Sequence, residues 1–311
     1  MPAPAAHTAA LPQLHGIRLV TDGGMETDLI YHHGVSLPKF AAFPLLNTPD
    51  GRDLLVRYYD GYADIARRVG AGLMLETPTW RANPDWGARL GYSETHLARA
   101  NTDAITMLAE LRARYAASID PILISGMIGP RGDGYSADDQ LKPEDAADYH
   151  RPQLHAFAAA HADLATAYTL THVGEAVGIV HAARSVGLPI AISFTVETDG
   201  LLPSGDSIGE AINTVDQAAP PDYYLINCAH PTHILRGLAE PGDWTSRIAG
   251  VRVNASSKSH AELDAADELD EGDIDTLTSA HDALTRALPA LTILGGCCGT
   301  DNRHVAALWT N

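Results

Sequence analysis

Short apolar runs alternate along this chain with longer stretches in which apolar residues recur every three or four positions. The runs are Ile17–Thr21, Gly72–Glu76, Ile122–Ser125, Leu164–Tyr168, Pro189–Phe194, Tyr223–Asn227, Ile248–Val253 and Leu291–Leu294. They are continuously apolar rather than strictly alternating, which predicts strands covered on both faces. Between them, Leu54–Val69 places Leu55, Tyr58, Tyr59, Tyr62, Ile65, Ala66 and Val69 on one helical face. His172–Gly187 does the same with Val173, Ala176, Val177, Val180 and Ala183, and ends on Gly187-Leu188-Pro189. Further helices are predicted at Glu94–Ala116, Pro143–His161, Ser207–Ala218, Thr232–Leu238, Ile274–Leu288 and Arg303–Trp309.

Eight strand–helix alternations imply an α/β protein with a parallel sheet, and the chain length suits one closed (β/α)8 TIM-type barrel over residues 15–311. A doubly wound open sheet is the alternative. No Gly-x-Gly-x-x-Gly follows the first strand, which weakens a dinucleotide-binding reading. Residues 1–14, rich in Ala and Pro, read as a flexible lead-in. They lack the basic start and apolar centre of a secretory signal. The run Glu262–Asp275 carries eight carboxylates between the seventh strand and its helix, and reads as a solvated loop.

Charge changes the picture by exclusion. With 39 acidic and 21 basic residues the formal net charge is −18, so a nucleic-acid backbone or an anionic membrane surface would be repelled. No apolar stretch approaches the roughly 18 residues of a membrane-spanning helix. Whether the chain forms a homo-oligomer is left open.

Chemistry enters with the cysteines. There are three: Cys228 at the end of the sixth apolar run, and the adjacent Cys297 and Cys298 just past the eighth. An odd, small number argues against a disulfide framework and fits a reducing compartment, so cytoplasm is expected. Barrels of this kind gather reactive groups where strands run into the following helices. Three thiolates converging there would make a metal site with one vacant position, the form of a catalytic zinc centre. Simpler readings stand beside it. A buried cysteine is often only a small hydrophobe, and neighbouring cysteines can form a strained disulfide.

The segment Leu294-Gly295-Gly296-Cys297-Cys298-Gly299-Thr300, with Asn227-Cys228, resembles the zinc signature of the homocysteine S-methyltransferase family. Asp22-Gly23-Gly24-Met25-Glu26-Thr27-Asp28-Leu29 is similar to that family's opening segment, Glu76-Thr77 to a pair at the end of its second strand, and Gly126-Met127-Ile128-Gly129-Pro130 to its turn after the third. The resemblance implies an eight-stranded barrel and an S-methyltransferase. Cys228, Cys297 and Cys298 would bind Zn2+, and homocysteine sulfur would enter the fourth position as a thiolate. That sulfur would then take a methyl group from a positively charged donor to give methionine. Substrate-binding residues implied or suggested alongside are Asp22, toward the substrate ammonium, with Glu76, Thr77, Asn227, Asn254, Gly295 and Gly296. The two glycines would present backbone N–H groups to a carboxylate.

One departure concerns the acceptor. Several relatives carry a Glu at the end of the fourth strand that helps hold the substrate amino group. Here that segment reads Ala165-Thr166-Ala167-Tyr168-Thr169-Leu170-Thr171, so another acid, such as Glu197, would take over, or the thiol differs from homocysteine. The chain continues only eleven residues past Thr300, so the expected donor is a separate small molecule. S-methylmethionine or S-adenosylmethionine is favoured, with betaine next, and Trp80, Trp86 or Trp244 could offer a cation–π face to it. The rival readings are a zinc hydrolase, and a thiol- or metal-binding protein without turnover.

Overall fold

The computed structural model describes residues 11–137 and 140–310. Eight parallel strands close in sequence order into a barrel. They are β1 (Leu19–Val20), β2 (Gly72–Glu76), β3 (Ile122–Ile128), β4 (Leu164–Leu170), β5 (Ile190–Phe194), β6 (Tyr223–Ala229), β7 (Ile248–Val253) and β8 (Ile293–Gly296), with β8 pairing back to β1. Around it lie α1 (Met25–Tyr31), α2 (Pro49–Val69), α3 (Pro84–Arg89), α4 (Glu94–Tyr115), α5 (Pro143–Ala159), α6 (Val173–Ser185), α7 (Ile208–Ala218), α8 (Pro231–Gly237), α9 (His260–Asp264), α10 (Ile274–Ala287) and α11 (Asn302–Thr310). Among the described residues no helix is long and apolar enough to cross a membrane.

The helix boundaries follow local capping chemistry. α2 begins five residues before its expected start at Leu54 because Thr48 Oγ1 accepts from Gly51 N–H and Pro49 fills the first helical position. It stops at Gly70, whose φ of 65° is left-handed. Ser207 and Glu210 form a reciprocal cap on α7. Three helices escaped the periodicity: α1, α3 and α9 run for seven, six and five residues. That is too short to display a repeating face. β1 pairs over two residues rather than the five expected. β3, β4 and β6 each extend beyond their apolar run toward the barrel mouth. Of the expected lead-in 1–14, residues 1–10 lie outside the described residues, and Pro12–His15 form a 3-10 turn beside a partly buried Leu11 that packs against the barrel interior.

Packing divides into two clusters. The larger fills the shell between strands and helices; the smaller is the barrel interior, with Leu19, Met74, Leu164, Ala191, Tyr223, Leu225 and Ile293. Alternation along the strands aims Glu76, Ser125, Tyr168, Ser193 and Asn227 into that same interior, one layer higher. All five are buried. The barrel is therefore apolar at its foot and polar at its mouth, and this places the site.

A sulfur triangle and its facing wall

Cys228 projects from β6 and Cys297–Cys298 follow β8. Cys297 Sγ lies 2.9 Å from Cys228 Sγ, and Cys228 Sγ lies 3.4 Å from Cys298 Sγ. All three ligand atoms fall within 4.8 Å of one another, and the cysteines are unbonded. A disulfide needs about 2.05 Å between sulfurs. A tetrahedral ion with sulfur ligands at about 2.3 Å sets S···S edges of roughly 3.8 Å. The observed 2.9 and 3.4 Å lie between these two values, so the triangle matches a metal centre in donor type and would widen by a few tenths of an ångström or more to hold an ion.

Backbone irregularity creates this convergence. The register slips between Ala167 and Leu170 in β4 and between Asn227 and Ala229 in β6. Thr169 and Cys228 sit at those slips with φ of 61° and 57°. Left-handed backbone at non-glycine residues costs on the order of 1–3 kcal/mol and persists only where surroundings enforce it. Asn227 supplies much of the enforcement: its Oδ1 accepts from Thr169 N–H (2.8 Å) and Ser193 Oγ (2.7 Å), and its Nδ2 donates to Thr169 Oγ1 (2.8 Å). The turned Cys228 carbonyl accepts from Asn254 Nδ2 at 3.0 Å and bonds His260 Nε2 at 2.6 Å. Thr300 Oγ1 donates to Cys297 O at 2.7 Å, which fixes the cysteine turn.

The thiols are electrostatically linked. Hydrogen bonds from Cys228 and Cys298, with Arg252 nearby, hold Cys297 well below the usual thiol range. Its sulfur in turn pushes Cys228 up, burial adding to the effect. A set of thiols that cannot all ionise together is one a divalent cation would stabilise.

The triangle lines a cavity whose other walls include Asp22, Glu26, Thr77, Trp80, Tyr168, Asn227 and Arg252. Tyr135, from the β3–α5 connection, reaches in so that its Oη is 3.1 Å from Cys228 Sγ and 3.5 Å from Cys298 Sγ; its ring stacks on His260 at 4.1 Å. An outer vestibule continues from Phe40, Trp80, Tyr135 and Cys298 to Tyr31, Asp133, Asp264, Glu268 and Asp270. Three of the eight carboxylates of the acidic run thus border the entrance, and the segment takes in the end of α9 and the start of α10, so it is not wholly a solvated loop.

Other expected site residues are placed as follows. Asp22 lines the cavity but is already engaged, with Arg252 Nη2 2.7 Å from Oδ1 and Tyr58 Oη donating to Oδ2 at 3.1 Å. Thr77 also lines it, while its Oγ1 accepts from Met127 N–H at 2.8 Å. Glu76 is sealed behind Tyr168, whose Oη donates to Glu76 Oε1 at 2.8 Å; Oε2 is buried without a partner among the described residues. Burial pushes the Glu76 carboxyl up to about 7. Asn254 borders the vestibule rather than the inner cavity. Gly295 and Gly296 serve close approach: a Cβ on Gly295 would stand 2.5 Å from Thr21 Cγ2, and the Gly296 N–H is spent on Asp22 O at 2.8 Å. Glu197 bonds His260 Nδ1 at 2.8 Å and stays outside the cavity. Of the tryptophans only Trp80 lines it. One of its faces carries the Arg81 guanidinium (4.0 Å), which also covers Trp86 at 3.7 Å, while Trp244 packs on Gly209.

Among the cavity residues outside the expectations, Arg252, Glu26 and Tyr135 carry ionisable groups. Arg252 carries a signal in the sequence, as the one charged residue of the buried strand Ile248–Val253. Glu26 sits inside the quoted opening segment, and nothing in its spacing marks it. Tyr135 comes from an irregular connection with no pattern to read.

The family model described as homocysteine S-methyltransferase matches residues 19–311. Homocysteine S-methyltransferase 2 of Zea mays is 24% identical over 319 residues, covering 94% of this chain and 89% of the relative. Homocysteine S-methyltransferase 2 of Arabidopsis thaliana is 24% identical over 317 residues, covering 93% and 91%. The metallated form of the homocysteine methyltransferase MmuM of Escherichia coli shares the fold, with a TM-score of 0.75 at 22% identity over 97% of this chain and 99% of that one. Taken with the sulfur triangle at the mouth of its barrel, the match over nearly the whole length means that this chain belongs to the homocysteine S-methyltransferase family.

Proposed function

We propose that this protein transfers a methyl group from a small onium donor to the sulfur of homocysteine, giving methionine, with zinc held by Cys228, Cys297 and Cys298. The observation that carries the reading is the unbonded sulfur triangle opening onto one cavity. A zinc ion bound there supplies the charge that keeps an incoming thiol deprotonated at neutral pH.

The chain's own residues do the rest. The braces at Asn227, Asn254, His260 and Thr300 hold the sulfurs in place, and preorganisation of this kind removes the cost of gathering the reacting groups. The substrate S–H proton leaves to solvent on binding. The sulfur lone pair then forms the new S–C bond as the bond from methyl to the donor breaks, and the donor departs neutral with that electron pair. Arg252 and Asp22 offset one another, so the inner cavity presents no net charge from that pair.

The vestibule supports a cationic donor. Its carboxylates at Asp133, Asp264, Glu268 and Asp270 stand beside the rings of Tyr31, Phe40, Trp80 and Tyr135, a lining suited to a sulfonium or quaternary ammonium. S-methylmethionine or S-adenosylmethionine is the favoured donor and betaine the next. Hydrolysis is disfavoured because three thiolates leave a bound metal a weak Lewis acid. The testing experiment is a donor panel against homocysteine with zinc-loaded protein, with methionine quantified. Methionine from a sulfonium is expected; ester or amide turnover with no methionine would contradict the reading, and thiol binding without turnover on any donor would make the protein a binding protein.

A further inference from the structure

An α-amino acid thiol that places its sulfur on the triangle brings an ammonium group into the same cavity. That cation needs a carboxylate with no protein cation on it already. The fourth strand offers none, since Leu164–Leu170 contains no acidic residue. Asp22 is matched by Arg252 at 2.7 Å and further held by Tyr58 and Thr21. Glu76 is fully buried behind Tyr168 and does not reach the cavity wall. Glu197 is tied to His260, and Asp270 of the vestibule to Lys258 at 2.9 Å.

Glu26 differs from all of these. It lines the inner cavity with the three cysteines and is half-buried; its carboxyl accepts from its own backbone N–H and has no ion pair among the described residues. Its position is also fixed relative to the sulfurs. Gly24 N–H donates to Thr300 O at 3.0 Å, Thr27 Oγ1 donates to Gly24 O at 2.9 Å, and Thr27 Oγ1 accepts from Gly299 N–H at 3.1 Å. These bonds dock the residues on either side of Glu26 onto the cysteine turn.

We propose that Glu26 is the specificity-determining carboxylate that binds the ammonium group of the amino-acid thiol. This rests on the reading of the site as a homocysteine site and adds to it the residue that selects an α-amino thiol over a plain one. A carboxylate–ammonium contact in a desolvated cavity is a charge-assisted hydrogen bond, stronger than a neutral one.

The test is isothermal titration calorimetry of zinc-loaded protein with homocysteine and with 4-mercaptobutyrate, the same skeleton without the amino group. Wild type should prefer homocysteine. Glu26→Gln should weaken homocysteine roughly 10- to 100-fold and leave 4-mercaptobutyrate unchanged, which also shows that the variant is folded. Glu26→Asp should keep part of the preference. A Glu26→Gln protein that still prefers homocysteine to the wild-type degree overturns the proposal, as does an equal loss for both thiols. Failure of wild type to bind either thiol would instead overturn the homocysteine reading, and the anchor with it.

Discussion

The two sides of the cavity are built in different ways. The sulfur side draws on two short stretches, and its three functional atoms belong to residues whose type announces them. The carboxyl side assembles Asp22, Glu26, Tyr168 and Arg252, with Glu76 behind Tyr168, from the turn after β1, from α1, and from β4, β7 and β2, and their roles depend on who pairs with whom. Asp22, the acid expected at the substrate ammonium, is held by an arginine, whereas a glutamate four residues on faces the cavity with no such partner. Residue type therefore marks a candidate metal ligand more readily than a free carboxylate, because a carboxylate's availability is decided by its neighbours.

The largest effect should come from the sulfur side. Cys297→Ser is expected to lose bound zinc and all detectable methyl transfer while keeping its fold. Metal analysis beside circular dichroism would check this, and full zinc occupancy in the variant would break the assignment. Next comes the ion pair at the centre of the carboxyl side. Arg252→Met leaves Asp22 buried and uncompensated, a loss of about 3–5 kcal/mol in urea unfolding. Adding Asp22→Asn should restore much of it; no restoration would mean that Arg252 acts chiefly through its bonds to Gly296 O and Gly23 O.

A smaller effect appears with pH. Burial raises the Glu76 carboxyl to about 7, above its unfolded value near 4.5. The folded protein therefore retains a proton that the unfolded chain has released, and stability falls as pH rises between those values and levels off above them. Glu76→Gln removes this contribution. Relative to wild type, the variant should gain about 3 kcal/mol between pH 4.5 and pH 8, read from urea midpoints of metal-free protein. A constant difference across that range would show that the acid is not strained by its burial.

Much of the barrel was legible, and for a physical reason. Buried parallel strands must be apolar on both faces, so β2, β5 and β7 stand out within a residue or so of their bounds. What escaped was local and short: α1, α3 and α9, and the truncated β1. The slips at Thr169 and Cys228 were equally invisible, since left-handed backbone at a threonine or cysteine is imposed by partners such as Asn227 and not announced by residue type. On the site, the three cysteines were readable from chemistry, Arg252 was signalled by its charge in an apolar strand, and Tyr135 and Glu26 needed the folded chain.

The central claim concerns one ion and its sulfur neighbours, and zinc-edge X-ray absorption on the loaded protein addresses it directly. Without substrate the account predicts three sulfur neighbours and one lighter atom; homocysteine should raise the sulfur count to four. A shell with no sulfur, or a sulfur count that homocysteine leaves unchanged, would contradict it.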